Sequence, residues 1–151
     1  MERTLILLKP DAVQRALVGE IVTRFESKGL KIVGVKMLHV DEALARRHYA
    51  AHVDKPFFGS LQRFITSGPL VALALEGTNA ISRVRSIVGA TSPDDAAPGT
   101  VRGDLSADLT LNLIHASDAP ETARAELSLF FADGELMEYR RCDEAWLGLA
   151  D

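Results

Sequence analysis

The chain has 151 residues, of which 17 are basic and 21 acidic, for a net charge of −4. This length suits one domain with a sizeable core, and a composition 47% hydrophobic and 25% charged excludes global disorder. The acidic balance gives no reason to expect a nucleic-acid partner. Cys142 is the sole cysteine, so no intrachain disulfide can form. No apolar run approaches the ~20 residues that span a bilayer. The opening MERTLILLKPDAV is charged too soon for a signal peptide, and a cytoplasmic protein without a membrane partner is expected.

Arg3–Lys9 is a short apolar run stopped by Pro10, a buried strand. From Asp11, the apolar residues Val13, Leu17, Val18, Ile21, Val22 and Phe25 recur at helical spacing. Asp11 is the candidate cap, Gly19 the candidate break and Gly29 the stop. Leu30–Val40 alternates loosely and is a second strand. DEALARRHYAAH and FFGSLQRFITSG predict two helices. Pro69–Gly77 is apolar on both faces, which predicts a central strand. TNAISRVRSIVG predicts a helix capped by Thr78 or Asn79, LNLIHAS a fourth strand, and APETARAELSLFF a last long helix with Pro120 in its first turn. Without the extra helices the order is βαββαβ, an α+β ferredoxin-like sandwich with a four-stranded antiparallel sheet. The segment 89–110 lacks apolar periodicity, and structureless loops longer than ~12–15 residues are uncommon unless they serve a purpose.

Four histidines are candidates for chemistry. His39, near a strand end beside Asp41, suits a surface or satisfied-core role. His48 and His52 stand at i and i+4, a spacing that can bind zinc. Tyr49, however, occupies the place where the metalloprotease pattern has glutamate, and no third ligand lies nearby in the sequence. His115 differs, because it closes a strand beside a helix start. Asn112, Ser117 and Glu126 can all approach its ring, and Glu126 can accept one ring N–H and leave the other nitrogen as a nucleophile. Lys9 at a sheet end, Arg85, Arg102 and the hydroxyls of Thr91 and Thr100 would together bind phosphate oxygens. The chain has neither GxxxxGK[ST] nor GxGxxG, so a nucleotide would bind without a P-loop or a Rossmann turn.

Five separated blocks, RTLILLKPDAVQR, HYAAHVDKPFFGSLQRFITSGP, EGTNAISRVRSIVGAT, AAPGTVRGD and NLIHASD, agree in order and spacing with the nucleoside diphosphate kinase family. The chain resembles that family from about residue 2 to 131, and the tail ELMEYRRCDEAW is similar to a longer C-terminal end found in part of it. The resemblance implies one kinase domain over 1–151, with 135–151 as an extension. It implies transfer of the γ-phosphate of a nucleoside triphosphate such as ATP to a nucleoside diphosphate, by ping-pong through a phosphohistidine at His115. Lys9, Tyr49, Arg85, Thr91, Arg102 and Asn112 match residues that bind phosphates, sugar or the surroundings of the histidine. Phe57 matches the aromatic that stacks on the base, Leu61 an apolar neighbour, and Leu109 a position usually filled by valine. Ser117 and Glu126 match the residues that support the histidine. The implied cofactor is Mg²⁺, held by nucleotide phosphates and water and not by a protein cage. The implied assembly is a homo-oligomer, a hexamer with a tetramer as the alternative. Segment 89–110 and the apolar tail residues Tyr139, Trp146, Leu147 and Leu149 would need a neighbouring subunit to pack against.

Ala12, Ala16 and Ala116 stand where glycine is commoner in the family, and Ala119-Pro120 replaces a serine-containing turn. These departures concern loop conformation. The rival function is an inactive, oligomeric nucleotide-binding regulator of the same fold. An RNA-binding sheet is disfavoured because TLILLK and VALALE contain no aromatic.

Overall fold

The computed structural model describes residues 1–148. Strands β1 (Glu2–Leu8), β2 (Lys31–Leu38), β3 (Leu70–Gly77) and β4 (Ile114–Ala116) form one sheet in the order β2-β3-β1-β4. Every neighbouring pair is antiparallel. Its helices are α1 (Pro10–Gln14), α2 (Val18–Ser27), α3 (Glu42–His48), α4 (Phe58–Ile65), α5 (Ala80–Val88), α6 (Val101–Leu105) and α7 (Pro120–Phe130). This is the expected βαββαβ sandwich. β1 and β3 occupy the centre, and all eight residues of β3 are buried. Successive strand side chains point to opposite faces, so β1 feeds two cores. Ile6 and Leu8 pack with Ile21, Phe25 and Val84 on one face. Leu5 and Leu7 pack with Ile65, Leu127 and Phe130 on the other.

Local expectations fail where a tertiary contact overrides a propensity. The break in the first helical segment falls at Ala16, which adopts φ +56°, while Gly19 lies inside α2. Asp11 does not cap α1. Lys9 holds the cap position without a side-chain bond, and the Asp11 carboxylate accepts from Leu113 N at 3.0 Å. Asn79 does precede α5, but in the left-handed region and without capping it. Glu2 reaches over instead and accepts from Ile81 N at 2.8 Å. The fourth strand has three residues, not seven, because Leu113 adopts φ +71° and leaves strand geometry.

Segment 89–110 is better anchored than its composition suggests. Val101 is fully buried in the first core and Arg102 is 6% exposed. Thr100 Oγ1 caps α6 by accepting from Gly103 N at 3.0 Å. A Cβ on Gly103 would sit 2.1 Å from the Ala97 carbonyl, so only glycine lets that turn close. The segment therefore has anchors on its own chain. The tail also packs on its own chain in part. Met137 N donates to Val33 O at 2.7 Å, and Tyr139 Oη donates to Ile32 O at 2.5 Å. Leu147 covers Gly29. Trp146 remains 89% exposed, and Leu149 lies outside the described residues.

Candidate active site

The short strand β4 delivers His115 to a cleft of about 510 Å³. Its walls include Lys9, His48, Tyr49, Arg85, Thr91, Arg102, Asn112, His115 and Glu126. His115 pairs with Leu7 on β1, so the sheet fixes its backbone. The ring is fixed from α7. His115 Nε2 lies 2.5 Å from Glu126 Oε2. Ser117 Oγ donates to that same oxygen at 3.1 Å and accepts from Leu5 N at 3.3 Å. A carboxylate only accepts, so Nε2 carries the proton and Nδ1 keeps its lone pair.

The approach to His115 is a strained turn. Ile114 N donates to Asn112 O at 2.8 Å across Leu113, a γ-turn of the rare hand with φ near +75°. Two residues of the β1–α1 junction clamp it: Lys9 N donates to Leu113 O at 2.8 Å, and Asp11 accepts from Leu113 N. Arg102 adds a third hold. Its guanidinium donates to the carbonyls of Ile114 at 2.6 Å, Gly89 at 3.3 Å and Asn112 at 3.4 Å. Asn112 is not on the histidine's strand, as expected from sequence, but on this turn. Its Oδ1 accepts from Lys9 Nζ at 2.7 Å, and its Nδ2 donates to Thr91 O at 3.3 Å.

The electrostatics suit an anion. Burial, with Arg102 close by, pushes the Lys9 ammonium down to about 8 despite Asp11. Burial and Arg85 push Arg102 down to about 10, so it stays charged at neutral pH. Burial, with a smaller push from Glu126, raises the Tyr49 phenol to about 12, which keeps it a hydrogen-bond donor. Three cations, Lys9, Arg85 and Arg102, thus converge on a cleft with two carboxylates, of which Glu126 is already engaged by His115 and Ser117 and Asp118 by Thr122. Anionic oxygens are what such a cleft lacks.

Phe57, Leu61 and Leu109 stand outside the cleft walls. Phe57, 49% exposed, lies where α4 begins, 5.6 Å from the His52 ring. Leu61 is half-buried one turn further, and Leu109 is 62% exposed on the loop before β4. One wall residue escaped the sequence argument. The His48 ring stands edge-on to His115, with centroids 4.7 Å apart. The i, i+4 spacing with His52 draws attention to a helix face, whereas its ring partner lies 67 residues away on β4.

A ferredoxin-like sheet that presents a carboxylate-held imidazole to a cationic cleft belongs to the class of phosphoryl-transfer enzymes. The family model described as nucleoside diphosphate kinase matches residues 2–136. Nucleoside diphosphate kinases of Roseiflexus castenholzii and Archaeoglobus fulgidus are 58% and 54% identical over 147 residues; the matches cover 97% of this chain and 99% and 97% of theirs. Among solved structures, a halophilic nucleoside diphosphate kinase from Halobacterium salinarum in complex with CDP superposes with a TM-score of 0.94 at 53% identity, with 97% of each chain covered. A family protein from Babesia bovis gives 0.95 at 44%, covering 97% of this chain and 99% of its own. The chain belongs to the nucleoside diphosphate kinase family.

Proposed function

We propose that the protein transfers the γ-phosphate of a nucleoside triphosphate to a nucleoside diphosphate in two half-reactions through phosphorylated Nδ1 of His115. The observation that carries this is the Glu126 bond at Nε2, which commits the other nitrogen to the cleft. In the first half-reaction the Nδ1 lone pair forms a bond to the γ-phosphorus. The bond from phosphorus to the β,γ-bridging oxygen breaks, and the diphosphate leaves with that electron pair. In the second, a terminal oxygen of another diphosphate attacks the phosphorus and the N–P bond breaks. Glu126 stabilises the positive charge that develops on the ring, and Ser117 holds Glu126 in place. Lys9, Arg102 and Arg85 balance the charge on the transferring oxygens. Tyr49, Asn112 and Thr91 orient phosphate or sugar, and Phe57, Leu61 and Leu109 form the outer rim against which the base stacks.

Mg²⁺ suits this cleft as a companion of the nucleotide. Asp118 and Glu126 are the two carboxylates of the cleft walls, too few oxygens to cage the ion. Phosphates and water would hold it, and it would neutralise phosphate charge there. All side chains assigned to the chemistry are present, which disfavours an inactive regulator. A cytoplasmic homo-oligomer, hexameric or else tetrameric, fits the outer strand β2, whose Val35 and Met37 are each 61% exposed. No helix among the described residues is long and apolar enough to cross a membrane.

The deciding experiment is incubation with γ-labelled ATP. Wild type is expected to carry acid-labile, base-stable phosphate and to pass it to added diphosphate. His115→Ala is expected to do neither, while His39→Ala and His52→Ala do both. Full labelling of His115→Ala would overturn the assignment.

A further inference from the structure

His48 has no part in the chemistry above, and its state calls for an explanation. Both ring nitrogens are shielded from solvent and neither has a hydrogen-bond partner among the described residues. A buried polar atom without a partner destabilises the fold. One ligand atom each from His48, His115 and Glu126 lie within 4.8 Å of one another. The three come from α3, β4 and α7, so the fold assembles them from separate elements.

We propose that His48, His115 and Glu126 form a chelating site for a borderline-soft divalent cation, of which Zn²⁺ is the type, and that its occupancy blocks phosphorylation of His115. Two imidazoles and a carboxylate, with one position open to the cleft, make a common zinc donor set. The nitrogen ligands select against Mg²⁺, which prefers oxygen. The inhibitory consequence rests on the phosphohistidine proposal. Glu126 faces Nε2, so a cation shared by His115 and Glu126 binds at Nε2. It takes the place of the Nε2 proton, which moves to Nδ1 and removes the nucleophile's lone pair. Lys9, Arg85 and Arg102 line the same cleft, and their charge opposes a dication there.

The test is calorimetric titration of ZnCl₂ into chelator-treated full-length protein, free of nucleotide and Mg²⁺. One ion per chain is expected, with affinity at least tenfold weaker in His48→Phe and in His48→Gln, and unchanged in His52→Ala and Cys142→Ser. Two His48 variants guard against a folding defect in one, each checked by circular dichroism. Zinc should also slow labelling by ATP in wild type, with recovery on adding EDTA and at least tenfold less sensitivity in the His48 variants. Zinc heats that survive in both folded His48 variants would overturn the site. Zinc binding at this site without any slowing of labelling would overturn the block. The heats do not depend on phosphoryl transfer, so a protein that binds zinc here but never labels would refute the kinase mechanism and leave the site standing.

Discussion

Asp11 holds Leu113 by a single hydrogen bond, from the Leu113 amide to the Asp11 carboxylate, at a residue whose φ of +71° costs about 1–3 kcal/mol. Leu113 is flanked by Asn112 and leads to His115, so the strain sits within the turn that presents His115. Asp11→Ala should let the turn relax and shift both groups. The expected outcome is a fall of about tenfold to a hundredfold in the single-turnover labelling rate at saturating ATP, with a smaller change in KM, because displacement of about 1 Å costs up to about a hundredfold. Asp11→Asn keeps an acceptor oxygen and should recover most of the rate. An Asp11→Ala protein that melts earlier but labels at the wild-type rate would show that the bond serves stability alone.

Lys9 gives a pH dependence with a definite sign. Its ammonium is held at about 8, against an ordinary lysine value of 10.5. The charged form that attracts phosphate is therefore present below pH 8 and lost above it. KM for nucleotide should rise as pH passes through 8, and Lys9→Met should have a high KM that no longer changes there. Between about 8 and 10.5 the unfolded chain binds the extra proton, so this lysine makes folding more favourable as pH rises through that window. A KM that stays flat from pH 7 to 9.5 would contradict the assignment.

The alanines at glycine-rich family positions separate by backbone conformation. Ala16 is exposed with φ +56°, whereas Ala116 lies in β4 and is not among the residues with positive φ. Ala16→Gly should stabilise the protein by about 1 kcal/mol, seen as a higher Tm. Ala116→Gly should cost about 0.5–1 kcal/mol and leave activity nearly unchanged. Equal shifts of the same sign would contradict this.

Phe57 offers an exposed aromatic face, and every base has a face to stack on it. Purine and pyrimidine diphosphates should be used within about tenfold of one another, since differences in stacking are on the order of 1 kcal/mol. Phe57→Ala should weaken all of them alike, by about 1–3 kcal/mol. A loss confined to one base would point to recognition of a base edge.

Val35 and Met37 on the outer strand predict association through that edge. Light scattering should give a hexamer mass, and Val35→Lys should lower it without unfolding the chain. A tetramer would reject only the number six; a monomer at micromolar concentration would reject assembly itself.

Residue pattern alone determined the order and type of the elements except α6, which lies in the segment 89–110 that lacks periodicity, because burial of β1, β3 and the amphipathic helices is written in local periodicity. It also singled out His115, Glu126, Ser117, Lys9 and Arg102 as candidates, since their chemistry depends on residue type and strand or helix position. Tertiary structure decided what local pattern does not encode. The left-handed conformation of Leu113 persists because a distant group holds it, the Asp11 carboxylate about a hundred residues away in sequence. Segment 89–110 has few apolar residues, yet a buried valine, a buried arginine and a glycine turn anchor part of it on its own chain. His48 looked like half of a helical pair with His52. Helix packing turned it toward His115, 67 residues away, because which face of a short helix meets the core is settled by its neighbours and not by its own spacing.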